Sequence, residues 1–199
     1  MSTAYQRVAD PSQGLSKSEP VAIVDEQDNV VDVVPRWRVR KDNLRHRATF
    51  IFVRHREAGK PVPASWQDEL FVVQKRALIK DYCPGYLDAC TGGVMQDGEE
   101  YEPSARRELE EELGISAASL TPLFHFLHED SVTKVWGGAF LCDYTGRLAD
   151  LVLQPEEVLS VETLTLGDMV ARSSAGEPFT PDSMSAVKRY IAQLEAKSN

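Results

Sequence analysis

At 199 residues, 42% hydrophobic and 27% charged, the chain has the size of one domain with a substantial core. A formal net charge of −9 argues against a nucleic-acid binder, since affinity for a phosphate backbone is carried by Lys and Arg. No apolar run approaches the ~20 residues of a membrane span, and the N-terminus lacks a basic-then-apolar signal pattern, so a cytoplasmic protein without a membrane partner is expected.

Residues 1–19, rich in Ser, Gln, Pro and Ala without periodicity, read as a mobile tail, and residues 20–199 as one domain. Val21 to Val24 and Val30 to Val34 flank Asp25-Glu26-Gln27-Asp28-Asn29 as the arms of a hairpin. Arg36 to Leu44 suits a short basic helix. Ala48 to Val53 and Leu70 to Gln74 are β-branched or aromatic runs typical of buried strands. Gly59, Pro61 and Pro63 mark a long loop between them, and Pro84-Gly85 turns the chain into a short strand from Leu87 to Thr91. A helix is expected to begin near Pro103 and to stop at Gly114, with Leu109 and Leu113 packing on the sheet. Leu120 to Leu127, Val132 to Cys142 and Val158 to Leu164 read as strands. Thr180-Pro181-Asp182 opens a last amphipathic helix with Met184, Val187, Ile191 and Leu194 on one side. Elements in this order suggest an α/β fold, a helix–sheet–helix sandwich. The three cysteines, Cys83, Cys90 and Cys142, cannot all pair within one chain, and their apolar neighbours suggest reduced thiols.

The chemistry concentrates between Gly93 and Ile115. Arg107-Glu108-Leu109-Glu110-Glu111-Glu112 sets Glu108, Glu111 and Glu112 at i, i+3 and i+4, on one helix face. Like charges at that spacing repel, so the helix gains no stability from them. A cluster of hard oxygen ligands is, however, what Mg²⁺ or Mn²⁺ requires. A solvated acidic face is the bland alternative, but it has no need of Gly93, Arg107, Gly114 and Ile115 in register.

The order of these residues resembles the Nudix box: Gly93, five residues, Glu99, seven residues, then Arg-Glu-Leu-x-Glu-Glu-x-Gly-Ile. The resemblance implies a Nudix-type α/β/α sandwich around a mixed β-sheet and a Mg²⁺- or Mn²⁺-dependent pyrophosphohydrolase acting on a phosphoanhydride in a small-molecule diphosphate. It matches Glu111 and Glu112 to the main metal ligands, and Glu108 to a residue that binds metal or assists the attacking water. Gly93, Glu99 and Arg107 fall in the metal shell or brace its loop. Family members often add a carboxylate from a distant loop as base, and Glu156 and Glu157 are the candidates here. Gly92-Gly93 is expected to let the backbone approach a metal or phosphate closely.

Outside the box, Leu44 to Ala48, Gln74 to Lys80 and Pro84-Gly85 resemble isopentenyl diphosphate isomerase, and more closely the bacterial Nudix hydrolases that share its framework. That likeness places Arg76 and Lys80 on the substrate diphosphate, by the chemistry of a bidentate Arg and a flexible Lys. For isomerisation itself the isomerase's cysteine falls at about Thr91, with Cys90 adjacent, one of its metal histidines at Val94, and its later glutamates near Thr133 and Val135. His46 matches another of its metal histidines. Two alternatives to hydrolysis stay open from the residues: an isomerase, and a regulator that binds a nucleotide without cutting it. Trp136, Phe126 and Tyr86 are candidates for a substrate pocket or for core, and a homodimer is the default assembly.

Overall fold

The computed structural model describes residues 18–116 and 119–198. The tail expected over residues 1–19 therefore lies almost wholly outside them, and Glu19 is already tied in, its carbonyl accepting from the Arg36 amide at 2.9 Å. The first hairpin joins β1 (Pro20–Val24) to β2 (Val30–Pro35) and runs directly into α1 (Arg36–Asp42). Val21, Ile23, Val34 and Val39 bury together beneath it.

The centre of the sheet is β3 (Arg45–His55), longer at both ends than its apolar run suggests. Along one edge it pairs in parallel with all of β7 (Lys134–Tyr144), which pairs in turn with antiparallel β6 (Leu120–Glu129). The turn between these two strands comes later than expected, because β6 runs on to Glu129: Asp130 accepts from the Val132 and Thr133 amides at 2.7 Å each, so Val132 stays out of the strand. Along its other edge β3 meets β1 only at His46 and β4 (Leu70–Arg76) only at Arg54 and His55. Between those contacts lies the segment 91–95, bonded to β3 through Thr49, Ile51 and Arg47. The short strand expected over Leu87 to Thr91 is thus split into β5 (Leu87–Asp88), paired with β4, and an isolated bridge from Thr91 to Ile51. Antiparallel β8 (Val158–Leu164) covers the other side of β4.

Alternation along β3 sends its side chains to two cores. Ile51 and Val53 join Leu109 and Leu113 of α2 (Tyr101–Leu113) on one face. Phe50 and Phe52 join Leu166 and Met169 of α3 (Leu166–Ser174) and Met184, Val187 and Tyr190 of α4 (Pro181–Ser198) on the other. This is the expected α/β/α sandwich around a mixed sheet. Sequence reading missed α3, although its start carries a capping box in which Thr165 accepts from the Asp168 amide at 3.0 Å. Pro103 is the third residue of α2, where its missing N–H leaves no intrahelical bond unmade. Gly114, left-handed at φ 68°, closes that helix.

Candidate active site

The segment 91–94 reaches β3 only because two glycines precede Val94. Gly92 has φ +145°, and a Cβ there would lie 2.1 Å from the Thr49 carbonyl oxygen. A Cβ on Gly93 would lie 2.7 Å from Glu108 Oε1. Bare backbone therefore lies against the carboxylates of α2.

Helix α2 presents those carboxylates unequally. Glu108 and Glu112 are buried, 9% and 3% exposed, whereas the Glu111 side chain is 51% exposed. Burial, reinforced by the charge of Glu112, pushes the Glu108 carboxyl up to about 7. Burial likewise raises Glu112, against the pull of Lys80 and a hydrogen bond from Gln74 Nε2 at 3.1 Å. The same Gln74 amide donates to Thr91 Oγ1 at 2.7 Å, fixing the 91–94 segment relative to the helix.

Arg107 organises the exposed side. Its Nε and one terminal nitrogen donate to the two oxygens of Glu99 at 2.9 and 3.1 Å, and its other terminal nitrogen to Glu108 and Glu111 at 2.9 and 3.0 Å. Glu99 in turn accepts from the Gln96 amide at 2.8 Å, so the loop before α2 is clamped to the helix. This is the fixed fork that makes Arg rather than Lys suitable there.

The turn before β8 supplies one more carboxylate. Glu157 is buried in contact with the Lys80 ammonium, and neither of its oxygens has a well-directed hydrogen bond. Lys80 Nζ also lies 4.0 Å from Glu112 Oε1. Burial and the neighbouring Arg76 push Lys80 down to about 8. A cavity is lined by Gly93, Arg107, Glu108, Glu111, Glu157 and Lys80; Glu156, half-buried, is not part of its lining.

Arg76 is committed elsewhere. It donates to Asp88 at 2.8 Å and twice to the Tyr82 carbonyl, at 3.2 and 3.0 Å. Of the aromatic candidates, Phe126 is core, Trp136 donates to the Asp25 carbonyl at 3.2 Å, and Tyr86 is exposed. His46 is buried with Nδ1–H donating to the Leu44 carbonyl at 2.9 Å, and burial pushes it down to about 3. Cys90 is buried too, and burial raises its thiol well above the ordinary range, so it stays protonated.

The donor set fits a hard divalent cation. Glu108, Glu111 and Glu112 would offer oxygen donors from one face of α2, and burial drives Glu108 and Glu112 toward neutrality, a cost that a bound cation would offset. Among the described residues no three His, Cys, Asp or Glu side chains converge on one point in this arrangement. Arg107 bridges Glu108 and Glu111, and Lys80 lies between Glu112 and Glu157.

Comparison with known proteins identifies the family. The family model described as the NUDIX domain matches residues 44–183. An uncharacterized Nudix hydrolase of Yersinia pestis is 42% identical over 175 residues, 88% of this chain and 87% of its own. The uncharacterized Nudix hydrolase YfcD of Escherichia coli K12 is 41% identical over 177 residues, 89% of each chain. The crystal structure of DR0079 from Deinococcus radiodurans superposes with a TM-score of 0.69 at 27% identity, over 86% of this chain and 98% of that one. With a family match that takes in the buried glutamates of α2, Lys80 and Glu157, the chain belongs to the Nudix family and is a Nudix hydrolase.

Proposed function

We propose that this cleft hydrolyses the phosphoanhydride of a small-molecule diphosphate with Mg²⁺ or Mn²⁺ held by Glu108, Glu111 and Glu112. The observation that carries the reading is that α2 buries Glu108 and Glu112 against the bare backbone of Gly92-Gly93, in a cleft that also receives Glu157. The bound cation supplies charge compensation for the phosphate oxygens and a lowered pKa for the attacking water. The residues do the rest. Arg107, braced by Glu99, sets the rotamers of Glu108 and Glu111. Glu157 is the base: it is buried, lacks a directed hydrogen-bond donor, and comes from a different element than the ligands. Glu156 is its exposed-side neighbour and a weaker candidate. Lys80 holds the substrate diphosphate, its ammonium already set among carboxylates that an ion would compete for. Arg76 acts on the diphosphate by fixing the Tyr82 loop rather than by direct grip.

We place the chain among the bacterial Nudix hydrolases that share the isopentenyl diphosphate isomerase framework, and not with the isomerase in activity. Thr91 is engaged with Gln74, Cys90 is held as a neutral buried thiol, and Thr133 and Val135 offer no acid. Residues 20–199 are taken as the catalytic domain behind a tail of residues 1–19, in a cytoplasmic homodimer. No helix of the described residues is long and apolar enough to cross a membrane.

The test is a screen of nucleotides, nucleotide sugars, dinucleotides and prenyl diphosphates with Mg²⁺ or Mn²⁺ in heavy-oxygen water. Heavy oxygen in a cleaved phosphate is expected. Double-bond movement in isopentenyl diphosphate without cleavage would overturn the hydrolase reading, and binding without either reaction would favour the regulator.

A further inference from the structure

The carboxylate-lined cavity has a neighbour. A second cavity lies on the α1 side, with Phe50 and Val135 in its lining. Arg36, Lys80, Gly93 and Val94 line both, so the two adjoin as halves of one trough with Lys80 on their shared boundary.

The cations of the α1 half are not equivalent. Arg76 has its donors engaged by Asp88 and the Tyr82 carbonyl, and Lys80 touches Glu157. Arg36 and Arg40, one turn apart on α1, instead share Asp81, with Arg36 also 4.0 Å from Glu19 and Arg40 donating to Thr133 Oγ1 at 3.4 Å. Their Nε atoms lie 3.5 and 3.8 Å from Asp81 Oδ2, longer than a hydrogen bond. Both Nε atoms are buried without a hydrogen-bond partner, and so is the Tyr82 hydroxyl. The Arg40 guanidinium stands 4.9 Å from the centre of the Tyr82 ring, so these groups are neighbours. Burial pushes Arg40 below the ordinary guanidinium range despite the pull of Asp81. Of the remaining acids, Asp88 is matched by Arg76, and burial raises Asp182 toward its neutral form. Asp81 and, more distantly, Glu19 are the carboxylates near the two guanidiniums, yet three buried donors in this region lack well-directed acceptors, a combination folded proteins rarely keep without a ligand.

We infer that the α1 half of the trough binds the terminal phosphate of the substrate through Arg36, Arg40 and Tyr82, so that the enzyme selects diphosphate monoesters over diphosphate diesters. This rests on the proposed hydrolysis in the carboxylate half. A terminal phosphate brings about two negative charges and three unsubstituted oxygens, one acceptor for each orphaned donor. The phosphate of a diester has one charge, two free oxygens and a second substituent to house. Lys80, at the division, lies where the bridging region of a diphosphate would cross from one half to the other.

The experiment uses the full chain. Inorganic phosphate is titrated calorimetrically into metal-chelated wild type, Arg36→Gln, Arg40→Gln, Tyr82→Phe and the exposed control Arg147→Gln. One saturable site is expected in wild type and the control, weakened about 10- to 100-fold by each Arg→Gln change. Tyr82→Phe removes only a hydroxyl that lacks a well-directed acceptor, so it keeps the fold and still weakens phosphate several-fold. Where an Arg variant fails to melt cooperatively, Tyr82→Phe decides. No saturable phosphate binding in wild type, or unchanged affinity in folded Arg40→Gln and Tyr82→Phe, would overturn the inference. In turnover with Mg²⁺, the KM advantage of a nucleoside diphosphate over the dinucleotide joined through the same diphosphate should shrink at least about tenfold in Arg40→Gln. Hydrolysis without that preference or phosphate binding would retire the pocket and leave the hydrolase. Phosphate binding with no metal-dependent hydrolysis of any diphosphate would retire the hydrolase reading and leave the pocket.

Discussion

Replacing Gly92 with alanine adds one methyl group where the backbone of the site meets the sheet. Two costs are separable. A residue with a side chain at φ +145° carries strain of about 1–3 kcal/mol. The new Cβ would also fall 2.1 Å from the Thr49 carbonyl oxygen and 2.8 Å from its carbon, so backbone must move. Overpacking of that kind costs a further ~1–3 kcal/mol. The sum, about 2–6 kcal/mol, is a large share of the ~5–15 kcal/mol that holds a domain together. Gly59→Ala is the internal control, because Gly59 has φ +83° but nothing within 4 Å of its Cβ position. It should lose only the left-handed strain, about 1–2 kcal/mol. Equilibrium urea denaturation of both variants measures the difference directly. The Gly92 amide approaches Glu112 Oε2 at 3.4 Å, so turnover should fall in Gly92→Ala even where the variant is folded, and not in Gly59→Ala. Equal stability losses in the two variants would refute the close approach of the 91–94 segment to β3.

Two further predictions concern charge. His46 is pushed down to about 3 by burial, with Arg40 contributing, against ~6.5 in an unfolded chain. Its folded value is the lower one, so the unfolded chain takes up a proton that the folded protein refuses. Stability from this group is therefore complete above about pH 6.5 and declines by up to ~1.4 kcal/mol per pH unit as pH falls toward the folded value. In His46→Asn, which keeps a donor for the Leu44 carbonyl, this acid-side decline should be missing, so the stability difference from wild type should change by about 2 kcal/mol between pH 7 and pH 5 while other groups titrate alike in both proteins. A parallel profile in the variant would show that His46 is not the group responsible. For the clamp on α2, a double-mutant cycle between Arg107→Ala and Glu99→Gln should return a coupling of at least about 1 kcal/mol in stability. Additive losses would mean that the two side chains do not act together.

The box was legible because its chemistry and its local structure coincide: the spacing that puts Glu108 and Glu112 on one helix face also brings Leu109 and Leu113 to the core. The sandwich followed from the same economy, with alternation in β3 and a 3.6-residue period in α4. What sequence could not supply was long-range pairing. Nothing local distinguishes Glu157 from Glu156; the Ala77 amide, bonded to the Glu157 carbonyl at 2.9 Å, draws that turn toward Lys80. Arg76 looked like a diphosphate grip, but Asp88 and the Tyr82 carbonyl engage its donors. Arg36 and Arg40 were visible only as part of a basic helix, since the face they present depends on Val39 packing under the first hairpin. α3 was missed because Gly167 and two serines dilute its pattern, although Thr165 and Asp168 marked its start.

Metal-dependent hydrolysis by the buried carboxylates of α2 stands or falls on one variant. Glu112→Gln tests it with least disturbance, since the amide oxygen can still accept from Gln74. Turnover of a diphosphate in Mg²⁺ should fall at least about 100-fold in a variant whose melting remains cooperative. Wild-type turnover in folded Glu112→Gln, or hydrolysis that persists when divalent cations are chelated, would contradict the account.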